Sequence, residues 1–178
     1  MTDYNLQLAL IGDVDDISQL IQLSARTLGA AYYQENTIES ALKGAFGVDT
    51  QLIKDQTYYI VMNNDLMIAC GGWSFRRTLF GSDSNNVRDP EKLDPSVDAA
   101  KIRAFFIHPD YVRQGLGKLL IDKCEAKAKA QGFTKIQLMS TLSGIDFYKK
   151  NGYQGSEYVY HTMNDNSKIK FLPMIKTL

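Results

Sequence analysis

Ile107-His-Pro-Asp-Tyr-Val-Arg-Gln-Gly-Leu-Gly-Lys-Leu-Leu120 is the stretch on which the reading of this chain turns. A nearly continuous apolar run, residues 102–108, ends at Pro109, and a turn follows with Arg113, Gln114, Gly115, Leu116, Gly117 and Lys118. An amphipathic segment begins at once. Leu116, Leu120, Cys124 and Ala128 fall on one side of it, and Lys123, Lys127 and Lys129 on the other. Strand, glycine turn and helix in that order bring unpaired backbone N–H groups and the positive end of a helix dipole to the turn, an anion-binding arrangement. Glycine lets the backbone approach an anion because no Cβ intervenes. Residues 102–108, apolar without alternation, read as a central strand buried on both faces.

Upstream, residues 4–10 alternate and predict a strand. Asp13 or Asp15 can cap a helix whose inner face is Ile17, Leu20, Ile21, Ser24 and Leu28. Asn36-Thr37-Ile38-Glu39 reads as a capping box for a second helix, with Ile38, Ala41, Leu42 and Phe46 as its apolar stripe. Residues 57–62 and 66–73, joined by Asn63-Asn64-Asp65, predict an antiparallel hairpin. Residues 77–100 hold Gly81, Pro90, Pro95 and many Asp, Asn and Ser. A loop of that length inside a domain signals function or disorder. Its flanks read as neighbouring strands, so it is not a domain boundary. Downstream, Gly132 suits a helix end, residues 134–139 a strand, and 143–150 a short helix closed by Gly152. Residues 153–163 and 169–175 suit a pair of strands. The expectation is one α/β domain over residues 1–178, ordered β-α-α-β-β-loop-β-α-β-α-β-β.

The chain has 178 residues, enough for a sizeable core, and its 20 basic residues balance 20 acidic ones. A nucleic-acid surface would need a basic excess or patch, so no nucleic-acid partner is expected. Cys70 and Cys124 are the two cysteines, both in apolar contexts, which suits buried thiols in a reducing compartment. No basic-then-apolar start resembles a signal peptide, and no apolar run approaches the roughly 20 residues of a membrane span. A cytoplasmic protein without a membrane partner is expected. With two histidines and two cysteines, none at ligand spacing, no metal site is expected.

The turn fits neither of two familiar phosphate loops. A triphosphatase loop, Gly-x-x-x-x-Gly-Lys-Ser/Thr, fails because Lys118 is followed by Leu119 and position 112 is Val. A dinucleotide loop fails because Leu120 stands where the third glycine belongs, and the next strand carries no ribose-binding acid. A tight turn without ligand stays open on these residues alone.

A second constellation, Phe147-Tyr148-Lys-Lys-Asn-Gly152-Tyr153, follows the next strand. Together with Ile107-His-Pro109 and Gly115-Leu-Gly117 it resembles the GNAT superfamily of acetyl-CoA-dependent N-acetyltransferases, in spacing and in order. One position departs from the usual loop pattern: Val112 replaces Gln or Arg, and Arg113 sits one place later. The resemblance implies a GNAT-like mixed, mostly antiparallel sheet of about six to seven strands, flanked by about four helices, with a splayed central strand pair. It implies acetyl-CoA as cosubstrate. Arg113, Gln114, Gly115, Leu116, Gly117 and Lys118 would surround the pyrophosphate. Phe105, Phe106 and Ile107 would lie along the pantetheine arm, with main-chain groups bonding its amides as an extra strand would. A main-chain N–H near Phe105 or Phe106 would polarise the thioester carbonyl.

The resemblance also makes Tyr148 the candidate general acid for the leaving CoA thiolate; read alone, it is equally a core aromatic beside Phe147. No carboxylate lies on the central strand, which leaves Asp98, Glu157, His161 or a water chain as candidate bases. His108, before Pro109, reads as structural. Cys124 lies on a buried helix face, so direct transfer in a ternary complex is expected in place of an acetyl-cysteine. Trp73, Arg76, Arg77 and Arg103 are candidates to line an acceptor cleft for an amine that carries a carboxylate or phosphate, or else they are surface charges. The acceptor is expected to be an amine of a small molecule or peptide, its specificity set by the first two helices, the strand end over residues 73–77 and the long loop. The terminal strands could pair two copies in a homodimer. The alternative function is a non-catalytic acyl-CoA-binding or regulatory module of the same fold.

Overall fold

The computed structural model describes residues 4–85 and 88–178. Positions 86 and 87 of the expected long loop lie outside the described residues. The elements run β1 (Asn5–Leu8), α1 (Val14–Gly29), α2 (Glu35–Ala41), α3 (Thr50–Lys54), β2 (Tyr58–Asn63), β3 (Leu66–Ser74) and β4 (Ala100–Ile107). Then come α4 (Leu116–Ala130), β5 (Lys135–Ser140), α5 (Ile145–Lys150), β6 (Val159–Thr162) and β7 (Lys168–Thr177). The strands form one seven-stranded sheet in the order β1-β2-β3-β4-β5-β7-β6. Every pairing is antiparallel except β4 with β5. The fold is thus the mixed, mostly antiparallel α/β sheet the sequence predicts, with a central pair that separates: β4 and β5 pair only at Ala100↔Ile136 and Lys101↔Gln137.

Two apolar cores lie on the two faces of this sheet. One gathers Leu116, Leu120, Cys124 and Ala128 of α4 with Trp73, Phe133, Ile136, Leu138 and Tyr148. The other gathers Ile17, Leu20 and Ile21 of α1 with Ile38, Phe46, Leu52, Ile60 and Phe171. Both helix faces are those predicted from periodicity, because burial of an apolar stripe is what fixes a helix against a sheet. Among the described residues, no helix is long and apolar enough to cross a membrane.

Strand β4 changes face midway. Ala100 and Ile102 belong to the α4 core; beyond them Phe105 and Ile107 face that core, and Ala104 and Phe106 face the other. Three residues of β3, from Cys70 to Gly72, are matched by four of β4, from Phe106 back to Arg103. The extra residue is a β-bulge, with Ala104 in the left-handed region at φ 51. Tyr58 Oη donates to Ala104 O at 2.9 Å, and the Phe105 ring lies across Gly71, where a Cβ would sit 2.3 Å from Phe105 Cδ1.

Three expectations need correction. Asn36 does not open a capping box: α2 starts one residue earlier, without a side-chain cap, and Glu39 is drawn away to Arg26 at 2.6 Å. Helix α3 has too few residues to show a period; Asp49 caps it by accepting from Gln51 N–H at 3.0 Å. The long loop is not structureless. Its arms run antiparallel, with Thr78 N–H donating to Asp89 O, Arg77 N–H to Glu91 O and Leu93 N–H to Phe75 O at 2.8–2.9 Å.

The loop is also tied to β4 by charge. Arg103, 2% exposed, bonds Asp49 Oδ2 at 2.8 Å and the carbonyls of Thr78 and Gly81 at 3.0 and 2.8 Å. Arg88 bonds the other oxygen of Asp49 at 2.8 Å. Removing one partner of a buried ion pair strands the other charge, a loss of about 3–5 kcal/mol. Asp49→Ala is therefore expected to lower unfolding stability by about that amount in urea titration. Glu39→Ala, which opens the exposed pair with Arg26, should leave the midpoint unchanged.

Candidate active site

Where β4 and β5 part, a cavity of about 710 Å³ opens between them. Ala104, Phe105, Phe106 and Ile107 line it from β4, and Leu138 and Met139 from β5. Alternation along this part of β4 gives the slit two sides: Phe105 and Ile107 face the α4 half, and Ala104 and Phe106 the α1 half.

The glycine turn closes the α4 half. After a 3₁₀ turn over Pro109–Tyr111, Arg113 (φ 65) and Gly115 (φ 84) both take the left-handed conformation. Gly115 is the N-cap of α4 and offers no side chain to the first helical N–H groups. A Cβ on Gly115 would meet nothing within 4 Å, so the turn is open above it. Gly117 differs: a Cβ there would lie 2.9 Å from the Phe147 ring, which packs against the start of α4. Backbone N–H groups in such a turn form a concave anion site. Arg113, Gly115, Leu116, Gly117 and Lys118 all line the cavity. Gln114 does not; its side chain is bonded by the Tyr4 hydroxyl and to Asp110 O. Lys118 pairs with Asp122 one turn on, so its charge is shared along the helix. Val112, the departure from the loop pattern, lines the cavity in extended conformation. His108 acts in the turn itself: its Nδ1 accepts from Asp110 N–H at 3.2 Å.

Helix α5 brings Tyr148 to the same half. The ring is 9% exposed, lines the cavity, and sits 6.4 Å from Phe105 and 5.0 Å from Phe147. Its hydroxyl makes no hydrogen bond with any described residue. Burial, then the nearby Cys124, pushes the phenol well above the ordinary tyrosine value and keeps it protonated. Burial likewise holds the Cys124 thiol well above its usual range, so it is no nucleophile at neutral pH.

The arginine cleft is not formed. None of Trp73, Arg76, Arg77 and Arg103 lines the cavity. Trp73 is 1% exposed against Phe133 and Phe75. Arg76 is held by Asp55 at 2.7 Å, Arg77 by Glu91 at 3.3 Å, and Arg103 by Asp49. Arg76 and Arg103 are spent on buried carboxylates, while Arg77 and Glu91 are exposed surface charges away from the cavity. The candidate bases fare similarly. Asp98 accepts from Asp94 N–H at 2.8 Å, Glu157 is exposed, and His161 stands behind the wall, its ring edge-on to Phe80 at 4.7 Å. Asp146 is the carboxylate among the described lining residues, on the exposed face of α5 about 200° around the helix from Tyr148.

Sequence reasoning named the first two helices and the long loop as the parts that set acceptor specificity, but not the lining of the α1 half of the cavity, where Ser24, Tyr32, Tyr33, Phe46, Phe80 and Phe171 form the wall. Of these only Ser24 and Phe46 stood in a predicted helix face, as core positions. Tyr33 ties the halves together, donating to Lys170 O at 2.8 Å and accepting from Leu142 N–H at 2.9 Å just before α5. Burial raises its phenol to about 12, against the opposing pull of the Leu142 hydrogen bond.

The model of the acetyltransferase (GNAT) family matches residues 19–153. An uncharacterized N-acetyltransferase of Chlorobaculum tepidum is 31% identical over 65 residues, which span 36% of this chain and 41% of the relative. The match thus spans less than half of that protein's length. A GCN5-related N-acetyltransferase from Rhodopseudomonas palustris superimposes with TM-score 0.71 at 19% identity, over 100% of this chain and 98% of that one. The PaiA N-acetyltransferase of Thermoplasma acidophilum, solved in complex with coenzyme A, gives TM-score 0.66 at 15% identity over 99% of each chain.

Tyr148 makes stability depend on alkaline pH with a definite sign. The folded chain keeps a proton that the unfolded chain gives up near pH 10, so stability falls as pH rises past about 10. The fall should be shallower in Tyr148→Phe, measured by denaturant titration at increasing pH. Equal slopes would mean that the phenol titrates normally.

Proposed function

We propose, from the premise that this chain belongs to the acetyltransferase (GNAT) family, that it transfers the acetyl group of acetyl-CoA to a primary amine of a small molecule or peptide. Transfer is direct, with amine and acetyl-CoA bound together. The observation that carries the reading is the meeting of an open glycine turn and a buried tyrosine on one side of the strand gap. The residues present fit the cosubstrate. The N–H groups around Gly115 and Gly117 would hold the pyrophosphate, with Arg113 and Lys118 as charge at its rim. Phe105 and Ile107 would flank the pantetheine arm where β4 has parted from β5. A main-chain N–H near Phe105 or Phe106 would meet the thioester oxygen, where charge develops.

The neutral amine attacks the thioester carbon, the C–S bond breaks, Tyr148 gives its proton to the departing sulfur, and the proton that the nitrogen sheds on becoming an amide restores the phenol. A phenol that stays protonated throughout the neutral range suits that role. No described carboxylate stands beside Tyr148 on the cavity wall, so the amine loses its proton to solvent at the cavity mouth. Cys124, fully buried with its thiol protonated, supports direct transfer.

Release of free CoA thiol with a panel of amines tests the reading. Tyr148→Phe is expected to lower kcat about 100-fold with the KM for acetyl-CoA unchanged, because the hydroxyl acts on the leaving group and not on binding. An unchanged kcat removes the role. Gly115→Ala should behave in the opposite way: a strain of about 1–2 kcal/mol from the left-handed backbone, a raised KM for acetyl-CoA and an intact chemical step. Binding of acetyl-CoA with no thiol release from any amine would instead support the non-catalytic acyl-CoA-binding module.

A further inference from the structure

The two halves of the cavity differ in charge. Four described lining residues are ionisable at neutral pH: Arg113, Lys118, Asp146 and Lys150. All four come from the glycine turn with the start of α4, or from α5. The α1 half carries none. Its wall is Leu28, Tyr32, Phe46, Phe80, Phe106 and Phe171, drawn from α1, the turns after α1 and α2, the long loop, β4 and β7. The rings contact one another, Phe46 with Phe106 at 5.9 Å and with Phe171 at 6.3 Å, and Phe80 with Phe171 at 5.5 Å. Among the described residues, Arg103 and Arg88, which hold the long loop that carries Phe80, are consumed by Asp49. Two polar side chains of the half have hydroxyls that bond no described residue: Tyr32, which is 52% exposed, and Ser24, which is buried. Ser24 is 4% exposed, lines the cavity from α1, and its hydroxyl bonds no described residue.

We infer that the α1 half is the acceptor subsite and that it takes an amine with an aromatic or other compact apolar body and no second charged group. The inference rests on the acetyl-transfer reading and adds the class of acceptor. An apolar body removes its own surface and that of the ring wall from water. Rings that meet at tilted and edge angles accept another ring in the same way. A carboxylate or phosphate on the acceptor would be desolvated without a cation to meet it, and a second ammonium would lack a carboxylate. Among the described residues of this wall, Ser24 carries the buried open hydroxyl and meets a polar atom of the acceptor, while the Tyr32 hydroxyl is turned to the exposed side. The long loop sets the wall's position, because Arg103 holds the carbonyls of Thr78 and Gly81 on either side of Leu79 and Phe80.

The test compares 2-phenylethylamine with glutamate, O-phosphoethanolamine and spermidine, by thiol release and by calorimetric binding to the CoA-saturated full-length chain. The expected result is a kcat/KM for 2-phenylethylamine at least about tenfold above each of the others, one order of magnitude being 1.4 kcal/mol. Phe80→Ala should raise the KM for 2-phenylethylamine about tenfold and leave the KM for acetyl-CoA alone, a split that general loosening of the fold would not produce. Phe80→Leu keeps the apolar volume and should recover most of the loss. Glutamate, O-phosphoethanolamine or spermidine matching 2-phenylethylamine would overturn the inference while acetyl transfer stood. Binding of 2-phenylethylamine without thiol release would support the subsite and remove acetyl transfer. No binding and no release would overturn both.

Discussion

The extra residue in β4 is the constraint from which the site follows. A regular strand would carry one alternation from Ala100 to Ile107, and its neighbour β5 could pair along the whole length. The bulge at Ala104 shifts the alternation by one, so that Phe105 and Ile107 come to the face already held by Ala100 and Ile102, and β4 parts from β5 after two paired residues. Two neighbours hold it. Gly71 has no Cβ to collide with Phe105, and Tyr58 supplies a hydrogen bond to the bulged carbonyl from the buried side. A left-handed alanine is unfavourable by about 1–2 kcal/mol, and it persists where packing on both sides over-determines it.

The second organising element is electrostatic and lies against the same strand. Asp49 accepts from two arginines and caps a short helix, while Arg103 donates to two loop carbonyls. Arg103 Nε is left unpartnered and buried, as is Trp73 Nε1. A cluster with an orphan donor is a poor source of net stability. It does specify one path for a segment that buries little apolar surface of its own. Those bonds join the Ser82 hydrogen bonds to Gly44 O and the packing of Phe80 on Phe171 in holding residues 78–82 against the cavity.

Much of this architecture could be read from residues. Long apolar periods gave α1, α4 and the β2–β3 hairpin, because burial of a whole face outweighs local detail over that many residues. The glycine turn and Tyr148 also stood out, each being a residue type that chemistry or backbone geometry demands. What escaped depended on contacts between distant positions. Nothing near Ala104 marks a bulge; the signal is Gly71-Gly72 on the neighbouring strand, which becomes a signal only once the register is known. Arg76, Arg77 and Arg103 read as free cations because Asp55, Glu91 and Asp49 lie 21, 14 and 54 positions away. The aromatic wall was invisible for the same reason: Phe46, Phe80, Phe106 and Phe171 share no period, and only the fold collects them.

An open sheet has two edges, at β1 and β6 here. The parting of β4 and β5 creates two more, facing each other inside the molecule. Unpaired strand edges on a surface invite other chains, which is a hazard proteins ordinarily blunt. These inner edges lie in a slit between α1 on one side and α4 and α5 on the other, too narrow for a folded neighbour. The hydrogen-bonding demand that would make an outer edge sticky is kept for something thin and extended. Promiscuous adhesion becomes selection by width.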